Sequence, residues 1–174
     1  VALGVERKHA NVMSRPPRPV DEALPNMLDL LLIFYLGGIM VIGTIVVYYI
    51  ALANGSVSYA QTMCFSVFIL FQLFNVMNCR SNEHSVFKLG VFSNRTIYLA
   101  ILFSVTLLLL AVQGAAWTIP FTSFQIGELL STTPLGPNDW VIVVLVASTV
   151  LMVEEFRKLL NTTGVFRVGT NRRT

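Results

Sequence analysis

The sequence predicts an all-α membrane protein: four transmembrane helices in a bundle, with both termini cytoplasmic. Three observations lead there. The 174 residues are 55% hydrophobic and 12% charged, with a mean hydropathy of +0.70; an ordinary soluble domain carries roughly 25% charged residues. Four apolar runs each reach the ~20 residues that a bilayer crossing needs. All twelve Lys and Arg lie before the first run, between the second and third, or at and beyond the end of the fourth.

The first run covers residues 28–53 and contains Gly37, Gly38 and Gly43, small residues that let neighbouring helices approach closely. The second covers 59–79, and the third covers 96–119, stopped by Pro120. The fourth covers 140–160. Trp117 and Trp140 stand near span ends, where aromatic residues favour the interface. Asp21, Glu22 and Asp29 precede or open the first run, as acids at a helix N-terminus do. The connections "NGSVS" and 120–139 contain no Lys or Arg, so the three basic places share one face, which the positive-inside rule makes cytoplasmic. Asn54-Gly55-Ser56 on the other side is a formal glycosylation sequon set tightly against the membrane.

The net charge of +3 reads as this orientation signal, not as an affinity for nucleic acid. Val1 in place of a Met fits a fragment or a processed terminus, and no signal peptide fits the polar, proline-broken first 25 residues. Cys64 and Cys79 are fifteen residues apart on one run, about 22 Å along a helix, too far to pair within the chain; both read as small buried hydrophobes. His9 and His84 stand alone, and no phosphate loop, serine elbow or redox pair occurs. No catalytic residue and no cofactor-binding residue is therefore assigned in this chain.

Polar side chains inside a membrane are costly, so they are the functional candidates. Gln72, Asn75 and Cys79 recur at spacings of three and four on one helical face. The Gln72 and Asn75 amides serve either as helix-to-helix hydrogen bonds or, through their carbonyl oxygens, as partial ligands of a hard cation. The run carries no carboxylate, so it cannot build such a site alone. Glu154, Glu155, Arg157 and Lys158 end the fourth run. Glu154 and Lys158 have the favourable i, i+4 order, and the group reads as an interfacial pair, with a proton or cation relay as the alternative. Thr44, Ser66, Ser104, Thr106, Ser148 and Thr149 are placed to return hydrogen bonds to their own helices.

Three stretches resemble one family. "ALGVERKHANVMSRPPRPVDEALP" is similar to the loop after the sixth membrane helix of type II P-type cation ATPases. "FQLFNVMNCRSNEHSVFKLGVFSNR" resembles that family's eighth helix and following loop, and "TTPLGPNDWVIVVLVASTVLMVEEFRKLL" its tenth helix. The resemblance covers residues 1–160 and implies helices seven to ten of a ten-helix pump, calcium-pump-like, of plasma-membrane or prokaryotic type. It implies a cytoplasmic loop at 1–27, a transmembrane domain at 28–160 and a cytoplasmic tail at 161–174. It also implies that the loop carrying Arg15, Pro16, Pro17 and Arg18 contacts the phosphorylation domain, with prolines that fix φ as a strut. Gln72 stands where reticulum-type pumps have an acid, which implies one calcium per cycle, with sodium or another cation as the alternatives. ATP, Mg2+ and the transported cation belong to the full-length pump. Its partners are the lipid bilayer, helices one to six and the cytoplasmic domains, and its place is the cell membrane. This chain alone lacks the ATP-hydrolysing apparatus; an Asp-Lys-Thr-Gly-Thr phosphorylation motif is expected upstream. Two other readings stand beside this one. The first is a stand-alone four-helix assembly or regulatory subunit; the second takes "RPPRP" as a polyproline ligand of an adaptor domain.

Overall fold

In a computed structural model, the protein is described over residues 27–80, 95–114 and 130–162. Four helices occupy these residues: α1 (Met27–Asn54), α2 (Val57–Asn78), α3 (Arg95–Gln113) and α4 (Pro137–Thr162). They coincide with the four predicted runs. Three of them, α1, α2 and α3, are long and apolar enough to cross a membrane. The fourth is 26 residues long but is set apart from these three by Glu154, Glu155, Arg157 and Lys158 near its end. The Arg15–Arg18 loop, both histidines, Trp117 and the C-terminal tail lie outside the described residues.

Chain turns fix the order of packing. Between α1 and α2 only Gly55 and Ser56 intervene, so the two helices fold back as antiparallel neighbours. Asn54 closes α1 by donating its amide to the Ile50 carbonyl (2.7 Å). Ser56 opens α2 as its N-cap, its hydroxyl accepting from the Tyr59 backbone N–H (3.2 Å). A side chain at Gly55 would meet the Tyr59 ring at 2.7 Å, which reserves this corner for glycine. At the start of α4, Pro137 takes the first helical position, where its missing N–H costs nothing. The Asp139 carboxylate accepts from the Gly136 N–H (2.8 Å), the returning half of a capping box.

The core lies around α2, which packs mainly against α4 and α1 and lightly against α3. Val67, Leu70 and Phe71 of α2 meet Met40, Val47 and Ala51 of α1 and Val143, Ala147 and Val150 of α4. Gly43 permits the closest approach, since a Cβ there would lie 2.7 Å from Phe71 Cζ and 3.5 Å from Val146. Gly37 and Gly38 differ from expectation: a Cβ at either would have nothing within 4 Å, because α1 turns that face away from α2 and α4. Outward faces of α1 and α3 are largely apolar, with Phe34, Ile42, Tyr49, Leu99 and Phe103 exposed, as suits helices that face lipid.

The third helix is described to Gln113, and residues 115–119 of its predicted run lie outside the described residues. The segment after Leu130 is fastened to its last turn. Thr132 donates to the Ala111 carbonyl (2.8 Å), and Gln113 donates to the Leu135 carbonyl (2.7 Å). The same segment is joined to α2. Ser58 donates to the carbonyl of Ser131 (3.0 Å), a residue held in the left-handed region at φ 51°. The buried Thr62 hydroxyl accepts from the Thr133 N–H (3.1 Å), and Tyr59 donates to Asp139 (2.7 Å). Thr44, Ser66, Thr106, Ser148 and Thr149 bond back to their own helices as expected.

Two outcomes are expected from this packing. Gly43→Val drives a branched side chain into the fully buried Phe71 ring and lowers stability by about 1–3 kcal/mol, measurable by unfolding in mixed micelles. Tyr59→Phe removes the bond to Asp139 and lowers stability by about 1 kcal/mol in the same assay, with helix content unchanged by circular dichroism.

Candidate functional site in the second helix

Because α2 is apolar over most of its length, its few amides stand out. Gln72, Asn75 and Asn78 follow one another at intervals of three residues toward the C-terminal end, and their surroundings differ. Gln72 is exposed, and its amide lies 3.8 Å from the Met40 sulfur of α1. Asn75 is half-buried, and its side-chain carbonyl oxygen is enclosed without a hydrogen-bond partner. Asn78 is buried against α4 and donates to the Val150 carbonyl (3.2 Å), while its own side-chain oxygen is likewise enclosed and without a partner. A buried carbonyl left without a donor costs free energy, and among the described residues no group donates to either oxygen.

The acid–base group at the end of α4 departs from expectation in two ways. Glu154 pairs with Arg157, not with Lys158: Nε donates at 2.8 Å and Nη2 at 2.5 Å to the two carboxylate oxygens, a two-pronged geometry that only Arg offers. Lys158 pairs with Glu155 at 3.3 Å. Both pairs are i, i+3, and both spacings lie on one face of a helix, so the planar guanidinium decides between them. The group is also buried, with Glu154 and Lys158 each 2% exposed, because α4 presents it to the end of α2. Lys158 Nζ approaches the Asn78 backbone carbonyl at 3.5 Å.

Cys79 is exposed, contrary to the expected burial, because it lies just past the last residue of α2. Cys64 is half-buried, its thiol 3.4 Å from the Thr44 carbonyl of α1. Among the described residues, no three His, Cys, Asp or Glu come together as a metal site. Sequence reasoning singled out Gln72 and Asn75 and stopped one step short of Asn78, which continues the same three-residue spacing. The burial of Glu154 and Lys158 had no signal in their local sequence.

Comparison with known proteins gives these features a setting. The family model described as "Cation transporting ATPase, C-terminus" matches residues 1–160. Calcium-transporting ATPase 1 of Schizosaccharomyces pombe is 35% identical over 158 residues, 90% of this chain and 17% of the relative. Calcium-transporting ATPase type 2C member 1 of Homo sapiens is 30% identical over 158 residues, 90% of this chain and 16% of the relative. A calcium-transporting ATPase of Bacillus subtilis is 30% identical over 148 residues, 83% of this chain and 15% of the relative. The chain thus spans about a sixth of the length of these relatives. With membrane-length helices in place and the match running over nearly all of its residues, the chain belongs to the family of cation-transporting ATPase C-termini.

Proposed function

We propose that this chain is the C-terminal transmembrane domain of an ATP-driven calcium pump of the cell membrane, supporting the helices that carry the ion. The observation that carries the reading is the family match over residues 1–160, joined to relatives whose names all state calcium transport. ATP, Mg2+ and Ca2+ are then ligands of the whole pump, and helices one to six with the cytoplasmic domains are its partners. Segregation of Lys and Arg supports an orientation with residues 1–27 and 161–174 on the cytoplasmic side. In that arrangement Arg15 and Arg18 pair with acids on the phosphorylation domain, and Pro16 and Pro17 stiffen the loop between them.

Gln72 and Asn75 are the residues of this domain proposed to reach the ion path. Exposure of Gln72 and the enclosed free oxygen of Asn75 support this, since each offers a neutral carbonyl of the kind that completes a hard-cation shell. The full-length protein in sealed vesicles is expected to accumulate calcium when ATP is added. Gln72→Leu is expected to raise the calcium concentration for half-maximal phosphorylation about tenfold, the loss of one polar ligand; an unchanged value would leave Gln72 a packing role only. Arg15→Ala with Arg18→Ala is expected to slow phosphoenzyme formation roughly fivefold, as losing charge-assisted bonds does, with half-saturation by calcium unchanged.

A further inference from the structure

We infer that Lys158 of α4 is the C-terminal cap of α2, a positioning residue supplied by another helix. A helix ends with carbonyl groups that have no partner within it and with the negative end of its dipole. Ordinarily a glycine in left-handed conformation or a basic side chain of the last turn answers this. Neither is present at α2: its C-cap Cys79 is right-handed, with φ −68° and ψ −8°, and its last turn contains no basic residue. Lys158 arrives from α4 instead, with its ammonium 3.5 Å from the carbonyl of Asn78, the last residue of α2.

Three features show that the contact is built. The side chain is almost wholly buried, 1% exposed, whereas a lysine near a membrane helix end ordinarily extends its ammonium to the interface. A buried cation demands a counter-charge, and Glu155 supplies it at 3.3 Å from the preceding turn of the same helix. The seam is fastened in the opposite direction by Asn78, whose amide donates to the Val150 carbonyl of α4 (3.2 Å). Each helix thus satisfies a backbone carbonyl of the other, two turns apart along α4. Together these contacts fix the axial position of α2, and with it the heights of Asn75 and Gln72 in the membrane. The cap itself does not depend on which ion is carried.

Thiol labelling reports on the cap directly, because Cys79 adjoins it and Cys64 stands four turns away. The experiment uses the full-length protein, retaining Cys64 and Cys79 as its cysteines, in native membranes with a small maleimide. Lys158→Met keeps the stem and removes the charge. It is expected to label at Cys79 about fivefold faster than the parent, the scale of a lost charge–dipole contact, with Cys64 unchanged; Lys158→Arg is expected to match the parent. Unchanged labelling of Cys79 in Lys158→Met, or equal acceleration in Lys158→Arg, would overturn the assignment. Should Lys158→Met expose both thiols by unfolding, Glu155→Gln decides: a smaller acceleration at Cys79 alone supports the cap, and the parent rate refutes it.

Discussion

Polar contacts at its two ends hold α2 between its neighbours, in a setting where apolar burial alone gives helices little reason to associate. Lipid tails are as apolar as Leu, so helix pairing in a bilayer relies on close packing and on hydrogen bonds between helices. At one end Tyr59, Thr62 and Ser58 grip the segment that leads into α4. At the other, Asn78 and Lys158 exchange contacts with opposite backbones. Between them the packing is close enough that Phe71 takes the space where Gly43 lacks a side chain. Neither end acts without the other: a helix fastened once can swing, and one fastened twice keeps its height and its rotation.

That constraint bears on the proposed role. The amides at 72 and 75 lie on the helix held most firmly, within two turns of its capped end. Groups meant to complete the shell of an ion gain from such a mounting, because they need not be ordered when the ion arrives. The third helix is of another kind: it packs lightly against α2, and it is tied to the rest through Gln113 and Ala111 at its last turn.

The four helices were legible because each is a long apolar run, and the predicted limits that fall on described residues lie within a few residues of the observed ones. Hydroxyl groups that bond back one turn were legible too, since only local spacing is involved. Contacts between distant segments were not. Tyr59 and Asp139 are 80 positions apart, as are Asn78 and Lys158, and no periodicity within either segment announces the other. Choice of partner at Glu154 was ambiguous for a different reason: Arg157 and Lys158 both lie on its face, and the two-pronged guanidinium, not the spacing, decided. Gly37, Gly38 and Gly43 look alike in sequence, yet only the last meets another helix, because rotation of α1 about its axis is set by packing.

Helix lengths carry a consequence for the surrounding lipid. At 1.5 Å per residue, the 28 residues of α1 extend about 42 Å, while the 19 of α3 extend about 28 Å. A hydrocarbon core is about 30 Å thick, so α3 matches it upright and α1 exceeds it. Standing parallel to the bilayer normal, α1 carries its ends beyond the hydrocarbon core. Leaning of α1, or thickening of the lipid beside it, accommodates the excess at a cost of fractions of a kcal/mol per Å. Hydrophobic mismatch therefore bears on this domain first along α1, whose length the surrounding bilayer has to accommodate.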